Sequence, residues 1–349
     1  MKEGYRLLGD FIQPVDERNR DLKVDYLLGV SISKQFIPSI ANIVGTDLSS
    51  YKIVRTGQFA YGPVTSRNGE KISIALLQDK DCIISSSYTV FEVTDNERLD
   101  PEYLMLWFSR PEFDRYTRYM SHGSVREIFD WDELCKVELP VPSIEKQRGI
   151  VKAYNTITDR IELKRKINDN LEAVLAASHS KMFFSMDTSE HSKLGELMTF
   201  GNGKSRPKTD GPIPVYGGNG VLSYTDHHNI ENAVLIGRVG AYCGSVYLEQ
   251  GICWVSDNAI FAKSKITKDE FFDYFLLKRL NLFNHHVGTG QQLLTQEILN
   301  NIEVPKPVTE QIELFNRKAA SVFETLFTNS REIIRLQELS DLFLSRLAG

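Results

Sequence analysis

Two short loops carry side chains whose chemistry suits the edge of a nucleobase. SHGSVRE spans residues 121–127 and GTGQQ spans 288–292. An arginine presents paired donors that suit guanine, while glutamine and asparagine pair a donor with an acceptor and suit adenine. Arg126, Gln291 and Gln292 have that chemistry on Gly-flanked loops, and Ser124 stands in the first of them. Asn219, in YGGNG (216–220), is a further candidate for a base-edge contact. Arg67, Lys71, Lys204, Arg206, Lys208 and Arg238 are candidates for phosphate contacts, which position a protein on a duplex without specifying its sequence. Each has a plainer reading beside it. Such loops also simply connect a helix to a strand, and single exposed charges are commonly just solvated.

Catalytic chemistry finds less support. A phosphate cradle needs glycines that open a helix. YGGNG is instead followed by VLSY, which reads as a strand, so the glycines predict a hairpin turn. GKS (203–205) lacks the first glycine of a Walker loop, since position 198 is Met198. DPEY (100–103) resembles the Asp-Pro-Pro-Tyr of amino-methyltransferases, but Glu102 replaces the second proline and no glycine-rich cofactor loop accompanies it. A helix start capped by Asp100, with Pro101 in the first turn, is the better reading. The pairs His227-His228 and His285-His286 lack the spaced thiolate or carboxylate partners of a metal site, and no metal is expected; His286 suits a phosphate contact instead. Cys82, Cys135, Cys243 and Cys253 form no CxxC pair and are expected as free, buried thiols in a reducing compartment.

Composition sets the frame for these sites. The chain has 349 residues, 42% of them hydrophobic and 25% charged, which suggests two or three domains with ample core. The net charge of −5 excludes a strongly basic nucleic-acid binder but leaves room for local basic patches. MKEGYRLLGD does not read as a secretory signal, and no apolar run approaches the roughly 20 residues of a membrane span. A cytoplasmic setting is expected.

The elements that must position the loops occur twice. VELPVPSIEK (137–146) and IEVPKPVTEQ (302–311) both read as a strand end, a Pro-x-Pro and the first turn of a helix. Gly123 stands as far before Pro140 as Gly288 stands before Pro305. Upstream, LDPEYLMLWFSR and ITKDEFFDYFLLKR read as helices, the second with a capping box of Thr267 and Glu270. Farther upstream, CIISSSYTVFEV and CWVSDNAIFAKS read as strands. The offset that carries Gly123 onto Gly288 and Pro140 onto Pro305 holds through the repeat, with a slip of one position at Gln147 and Gln311.

Each copy ends in a long tail with a 3.5-residue apolar period. One seam runs Ile150, Tyr154, Ile157, Ile161, Lys164, Asn168, Leu171, Leu175, Ser178, Met182. The same positions carried over by the repeat offset are Phe315, Ala319, Val322, Leu326, Asn329, Ile333, Leu336, Ser340, Phe343, Leu347. Such periodicity predicts two long paired helices. Their polar members weaken the seam and suit the setting of its register. The second helix must return toward the first domain, so an antiparallel pair is expected. Ile167, Val174, Phe323, Phe327 and Ile334 lie beside the seam and are expected to meet a partner protein.

These residues carry a resemblance. RNRDLKVDYLLGVSISKQFIPSIANIVGTDLSSYKIVRTGQFAYGPVTSRNGEKISIAL, then SSSYTVFEV and PEYLMLWFSRPEFDRYTRYMSHGSVR, is similar to the first target-recognition domain of specificity subunits of Type I restriction–modification systems. IPVYGGNGVLSY, VLIGRVGAYCGSV and GTGQQLL resemble the second, and KINDNLEAVL resembles part of a helical spacer. The resemblance implies an α/β (more closely α+β) protein with two pseudo-repeated recognition domains separated by two antiparallel, coiled-coil-like helices. The expected division is 1–140, 141–187, 188–304 and 305–349 for first domain, first spacer, second domain and second spacer. It further implies a non-catalytic chain in which each domain reads half of a split double-stranded DNA target. Two modification (methyltransferase) subunits would dock on the helices and carry S-adenosylmethionine, with no cofactor in this chain, and motor-nuclease restriction subunits would join them. Two rivals stand beside this reading: a one-chain methyltransferase or nuclease, and a bipartite protein-binding adaptor, which the negative charge would suit.

Overall fold

The computed structural model describes residues 4–39, 45–66, 69, 71–123, 127–184, 190–288 and 290–348. The chain divides into two compact units, one of residues 1–163 and 332–349, the other of residues 164–331.

In the first unit, β1 (Tyr5–Leu7), β2 (Ile12–Val15), β3 (Leu28–Val30), β4 (Phe36–Pro38), β5 (Lys52–Val54), β6 (Phe59–Tyr61), β7 (Ile74–Leu76), β8 (Cys82–Ile84) and β9 (Thr89–Val93) precede α1 (Pro101–Phe108), α2 (Pro111–Met120), α3 (Trp131–Cys135) and β10 (Glu138–Pro140). The main sheet is antiparallel in the order β2-β9-β6-β7, and β1 closes onto β10. The segment CIISSSYTVFEV is therefore two strands with a turn: Cys82–Ile84, Val90 and Phe91 are buried, while Ser86 and Ser87 between them are exposed. Aromatic packing seats the helices on the sheet: Phe59 stacks on Phe91 at 4.9 Å, and Phe108 of α1 meets Phe59 edge-on at 5.8 Å. DPEY is a capped helix start. The Asp100 carboxylate accepts from the N–H groups of Glu102 (2.8 Å) and Tyr103 (3.1 Å), and Pro101 occupies the first turn.

The second unit holds β11 (His191–Lys193), α5 (Leu194–Leu197), β12 (Met198–Asn202), β13 (Ile213–Gly217), β14 (Gly220–Thr225), β15 (Ile230–Gly237), β16 (Val246–Val255), β17 (Ala259–Ser264), α6 (Phe271–Arg279), α7 (Gln296–Asn301) and β18 (Glu303–Pro305). Its sheet order is β12-β17-β15-β16-β13-β14, antiparallel except for the β13–β16 pair, and β11 closes onto β18. The strand order β2-β9-β6-β7 of the first unit thus recurs as β12-β17-β15-β16. The second unit adds β13 and β14 at the edge.

Helix α4 spans Ile144–Phe184 and α8 spans Thr309–Ser345. Ile144 and Thr309 are equivalent positions of the repeat, so the helices themselves begin in step. Inside each unit the helix segments pair antiparallel. In the first, Tyr154 meets Phe343 (6.0 Å between rings) and Arg160 pairs with Glu332. In the second, His179 meets Phe315 at 5.4 Å, Lys164 donates to Asn329 at 2.8 Å, and Asn329 donates to Asn168 at 2.8 Å. Three of the polar seam residues are thus bonded to one another. A buried amide has few ways to be satisfied, so this trio favours one register over its neighbours. At Ser178 the seam departs from its period. That residue is exposed, and His179 is buried in its place among Phe183, Phe272, Phe275 and Phe315.

The predicted capping box at Thr267 does not form. Helix α6 begins at Phe271, and its N-cap, Glu270, makes no side-chain cap. A residue of α8 replaces the box: buried Asn316 accepts from the Phe272 N–H (2.8 Å) and donates to the Thr267 hydroxyl and the Asp269 carbonyl (2.8 Å each). The first unit uses Gln147 of α4 in the same way. Its amide accepts from the Asp100 N–H (2.9 Å) and donates to the Arg98 and Pro142 carbonyls (3.0 and 2.8 Å). The slip between Gln147 and Gln311 reflects this change of partner, since Asn316 rather than Gln311 fills the role in the second unit.

Candidate nucleic-acid interface

In the second unit, loops from four places in the chain are hydrogen-bonded into one rim. YGGNG is a hairpin tip: Gly217 pairs with Gly220, and Gly218-Asn219 makes the turn. Gly220 has φ +80°, which requires glycine, whereas Asn219 needs no left-handed backbone. The Gly218 carbonyl accepts from the Ser245 hydroxyl (2.5 Å), which fastens the tip to the 240–245 turn. Gly237, at the end of β15, permits the close approach. A Cβ there would fall 2.1 Å from the Tyr242 carbonyl oxygen.

The Gly-rich loop joins the same rim. Val287 and Leu293 exchange two backbone bonds of 2.9 Å. The Gly240 N–H donates to the Gln292 carbonyl (3.0 Å), and the Leu294 N–H donates to the Arg238 carbonyl (2.9 Å). The Arg238 side chain bonds the Asp257 carbonyl at 3.4 Å, and its buried Nε has no hydrogen-bond partner among the described residues. Lys204 is tied in through its backbone N–H to Val255 (2.9 Å), and Lys204, Arg206 and Lys208 are exposed. The fold therefore gathers Asn219, Arg238, Gln291 and Gln292, with Lys204 adjoining. Asn219 and Gln291 are exposed and Gln292 is half-buried.

The first unit repeats this backbone pattern bond for bond. His122 and Ile128 exchange bonds of 3.1 and 2.9 Å, the Thr65 N–H donates to the Glu127 carbonyl (3.0 Å), and the Phe129 N–H donates to the Pro63 carbonyl (2.9 Å). His122, Glu127, Ile128 and Phe129 are the repeat equivalents of Val287, Gln292, Leu293 and Leu294. Arg67, Ser124 and Arg126 lie outside the described residues. Lys71 is exposed and is not brought to this loop by any bond; its neighbour Ile72 donates its N–H to Asp114 (3.2 Å).

Residue spacing missed several members of the rims. Tyr242 is 51% exposed at the foot of the hairpin tip, and Phe283, 41% exposed, packs its ring 4.8 Å from His286. In the first unit Arg118 pairs with Glu127. The glycines flanking the aromatic residue in GAYCG were the available signal for Tyr242. The others show no local pattern.

The helices carry a second candidate surface. In the first unit Leu163, Ile334, Leu339 and Leu342 are exposed; in the second, Ile167, Val174 and Leu314. Phe323 does not belong to this strip. It is buried, stacked on Phe271 at 4.6 Å, because α6 covers that face of α8. Phe327 is half-buried against the same core.

The strongly shifted titratable groups are structural. His179 is driven down to about 4 by burial, with nearby Arg279 adding to the effect. Asp273 is pushed up to about 7 by burial, aided by neighbouring Glu270 and opposed by a bond to Ser264. Burial pushes the Cys82 and Cys253 thiols up to about 12, and all four cysteines are free. Among the described residues no group of three or more His, Cys, Asp or Glu is placed to hold a metal ion, and no helix is long and apolar enough to cross a membrane.

Comparison with known proteins matches both copies of the repeat. The family described as Type I restriction modification DNA specificity domain matches residues 39–173 and 186–342. The MjaIX specificity subunit of a Type I restriction enzyme from Methanocaldococcus jannaschii is 21% identical over 296 residues, covering 70% of this chain and 68% of its own. The HindI specificity subunit from Haemophilus influenzae is 25% identical over 154 residues, 42% of this chain and 32% of its own. Among solved structures, the S subunit of a Type I system from M. genitalium covers 99% of this chain and 96% of its own, with a TM-score of 0.65 at 17% identity; this is a likeness of fold.

Proposed function

The chain belongs to the Type I restriction–modification DNA specificity family, and from that premise we propose that it reads a two-part, asymmetric DNA target, one half per unit. The observation that carries this reading is the rim built twice. The same backbone bonds are made by residues 122, 127, 128 and 129 in one unit and by 287, 292, 293 and 294 in the other, each set fastened to an upstream strand-end loop of its own unit. Two copies of one scaffold with different side chains suit two different half-sites.

In this reading the chain performs no chemistry. Methylation of adenine belongs to modification subunits, which bring S-adenosylmethionine and dock on the exposed apolar strips of α4 and α8; restriction subunits join that complex. Arg238, Lys204 and Arg206 hold phosphates, while Asn219, Gln291 and Gln292 reach base edges. The setting is the cytoplasm, where the target DNA is.

The test is co-expression with a methyltransferase subunit, followed by mapping of methylated adenines and gel shifts on the recovered sequence. Methylation at one split sequence, dependent on this chain, is expected. The chain alone should bind that DNA weakly and be poorly soluble, because its apolar helix strips stay uncovered. The same methylation without this chain would overturn the proposal.

A further inference from the structure

The two rims place chemically different side chains on equivalent backbone. Residue 127 and residue 292 each offer a carbonyl that accepts from an opposing loop at 3.0 Å, and each is followed two residues later by an N–H that donates across the rim at 2.9 Å. One position carries glutamate and the other glutamine. Both residues are partly exposed, so a side chain at either place can meet a ligand.

A carboxylate at such a place is informative. Phosphates repel it, so on a DNA-facing loop it is tolerated only where something compensates. Arg118 supplies part of this by bonding Oε2 of Glu127. Among the described residues no donor reaches Oε1. An ionised carboxylate can only accept hydrogen bonds. In the major groove the only base-edge donors are the N4 amine of cytosine and the N6 amine of adenine.

We propose that Glu127 is a specificity-determining residue, accepting from the exocyclic amine of a cytosine or adenine in one half-site, and that Gln292 holds the equivalent place for the other half-site. This rests on the DNA-recognition reading above. Arg118 is a positioning residue: it fixes the carboxylate and offsets its charge. Gln292, able to donate as well as accept, is free to meet an edge that offers both an acceptor and a donor.

The experiment is selection of duplexes from a random DNA library by the complex of the full chain with its methyltransferase subunit. The wild-type complex should require cytosine or adenine at one position of one half-site. Glu127→Gln should relax that position alone by about fivefold or more, since one good edge contact gives about 1–3 kcal/mol of discrimination. Gln292→Glu should change a single position of the other half-site. An unchanged profile for both variants overturns the proposal, as does a change spread over many positions. Loss of all binding by a Glu127→Gln chain that still melts like wild type would also overturn it, because the glutamate would then hold the loop. A wild-type complex that selects no sequence would sink the recognition reading itself.

Discussion

Val174 and Phe323 are apolar residues of the two long helices, and both stand beside the heptad seam, yet their substitutions should fail in opposite ways. Val174 on α4 is 65% exposed, whereas Phe323 on α8 is 6% exposed and stacks on Phe271 at 4.6 Å. Val174→Asp removes no internal contact of consequence, so the stability of the free chain should stay within about 0.5 kcal/mol of wild type. Phe323→Ala opens a cavity beneath α6 and should cost about 3–5 kcal/mol. The order reverses in the complex. A valine buried by a partner gives about 1.5 kcal/mol or more, and an unpaired carboxylate in its place adds a similar or larger penalty. A combined loss near 3 kcal/mol is roughly a hundredfold in affinity. Urea unfolding of the free chain by circular dichroism reads the first quantity, and fluorescence titration with the methyltransferase subunit reads the second. If Val174→Asp binds the subunit as tightly as wild type, α4 is not the docking surface at that point. If Phe323→Ala unfolds at the wild-type urea concentration, the packing of α8 beneath α6 is wrong.

Other outcomes are expected from the same geometry. Asp273 is raised in the folded chain, so it retains its proton where the unfolded chain has lost it; it should lower stability as pH rises from about 4 to about 7, and Asp273→Asn should remove that slope in pH-dependent urea titrations. His179 is lowered, so its contribution is present above the unfolded value of 6.5 and lost as pH falls toward 4; His179→Phe should remove this acid-side loss. Gln147→Ala strands the Asp100 N–H and two carbonyls, and should cost about 1–3 kcal/mol for the N–H alone, read by the same unfolding assay. If the helices set the length of the unread gap between the two half-sites, one heptad added after Leu163 and another after Arg331, where α4 and α8 pass from one unit to the other, should lengthen each helix by about 10 Å and widen that gap by about three base pairs. Methylome sequencing checks both the gap and the half-sites, which should not change; an unchanged gap with full activity would show that the helices do not set it.

What the sequence determined by itself is periodic or local. The two helices were legible because a 3.5-residue apolar period over ten positions needs no tertiary information; their polar members were legible as register-setting, but that Lys164, Asn329 and Asn168 bond one another came only from the structure. The Asp100 cap and the YGGNG turn were legible because each depends on a few adjacent residues. The repeat was legible as an offset, which the bonded residues 122, 127, 128 and 129 and their counterparts 287, 292, 293 and 294 keep, although the strand-end loops they bond do not. The rim was not legible as a group. Strand order brings the hairpin tip beside Gly237, through a parallel β13–β16 pairing that no local pattern signals. Thr267 failed as a cap for the same kind of reason, since an amide 49 residues away engages its hydroxyl and the helix starts later, at Phe271. Periodicity likewise places Phe323 and Val174 beside a seam without saying which one a neighbouring helix will cover. That depends on where α6 docks, and docking is settled by the summed packing of the whole unit rather than by any residue's own spacing.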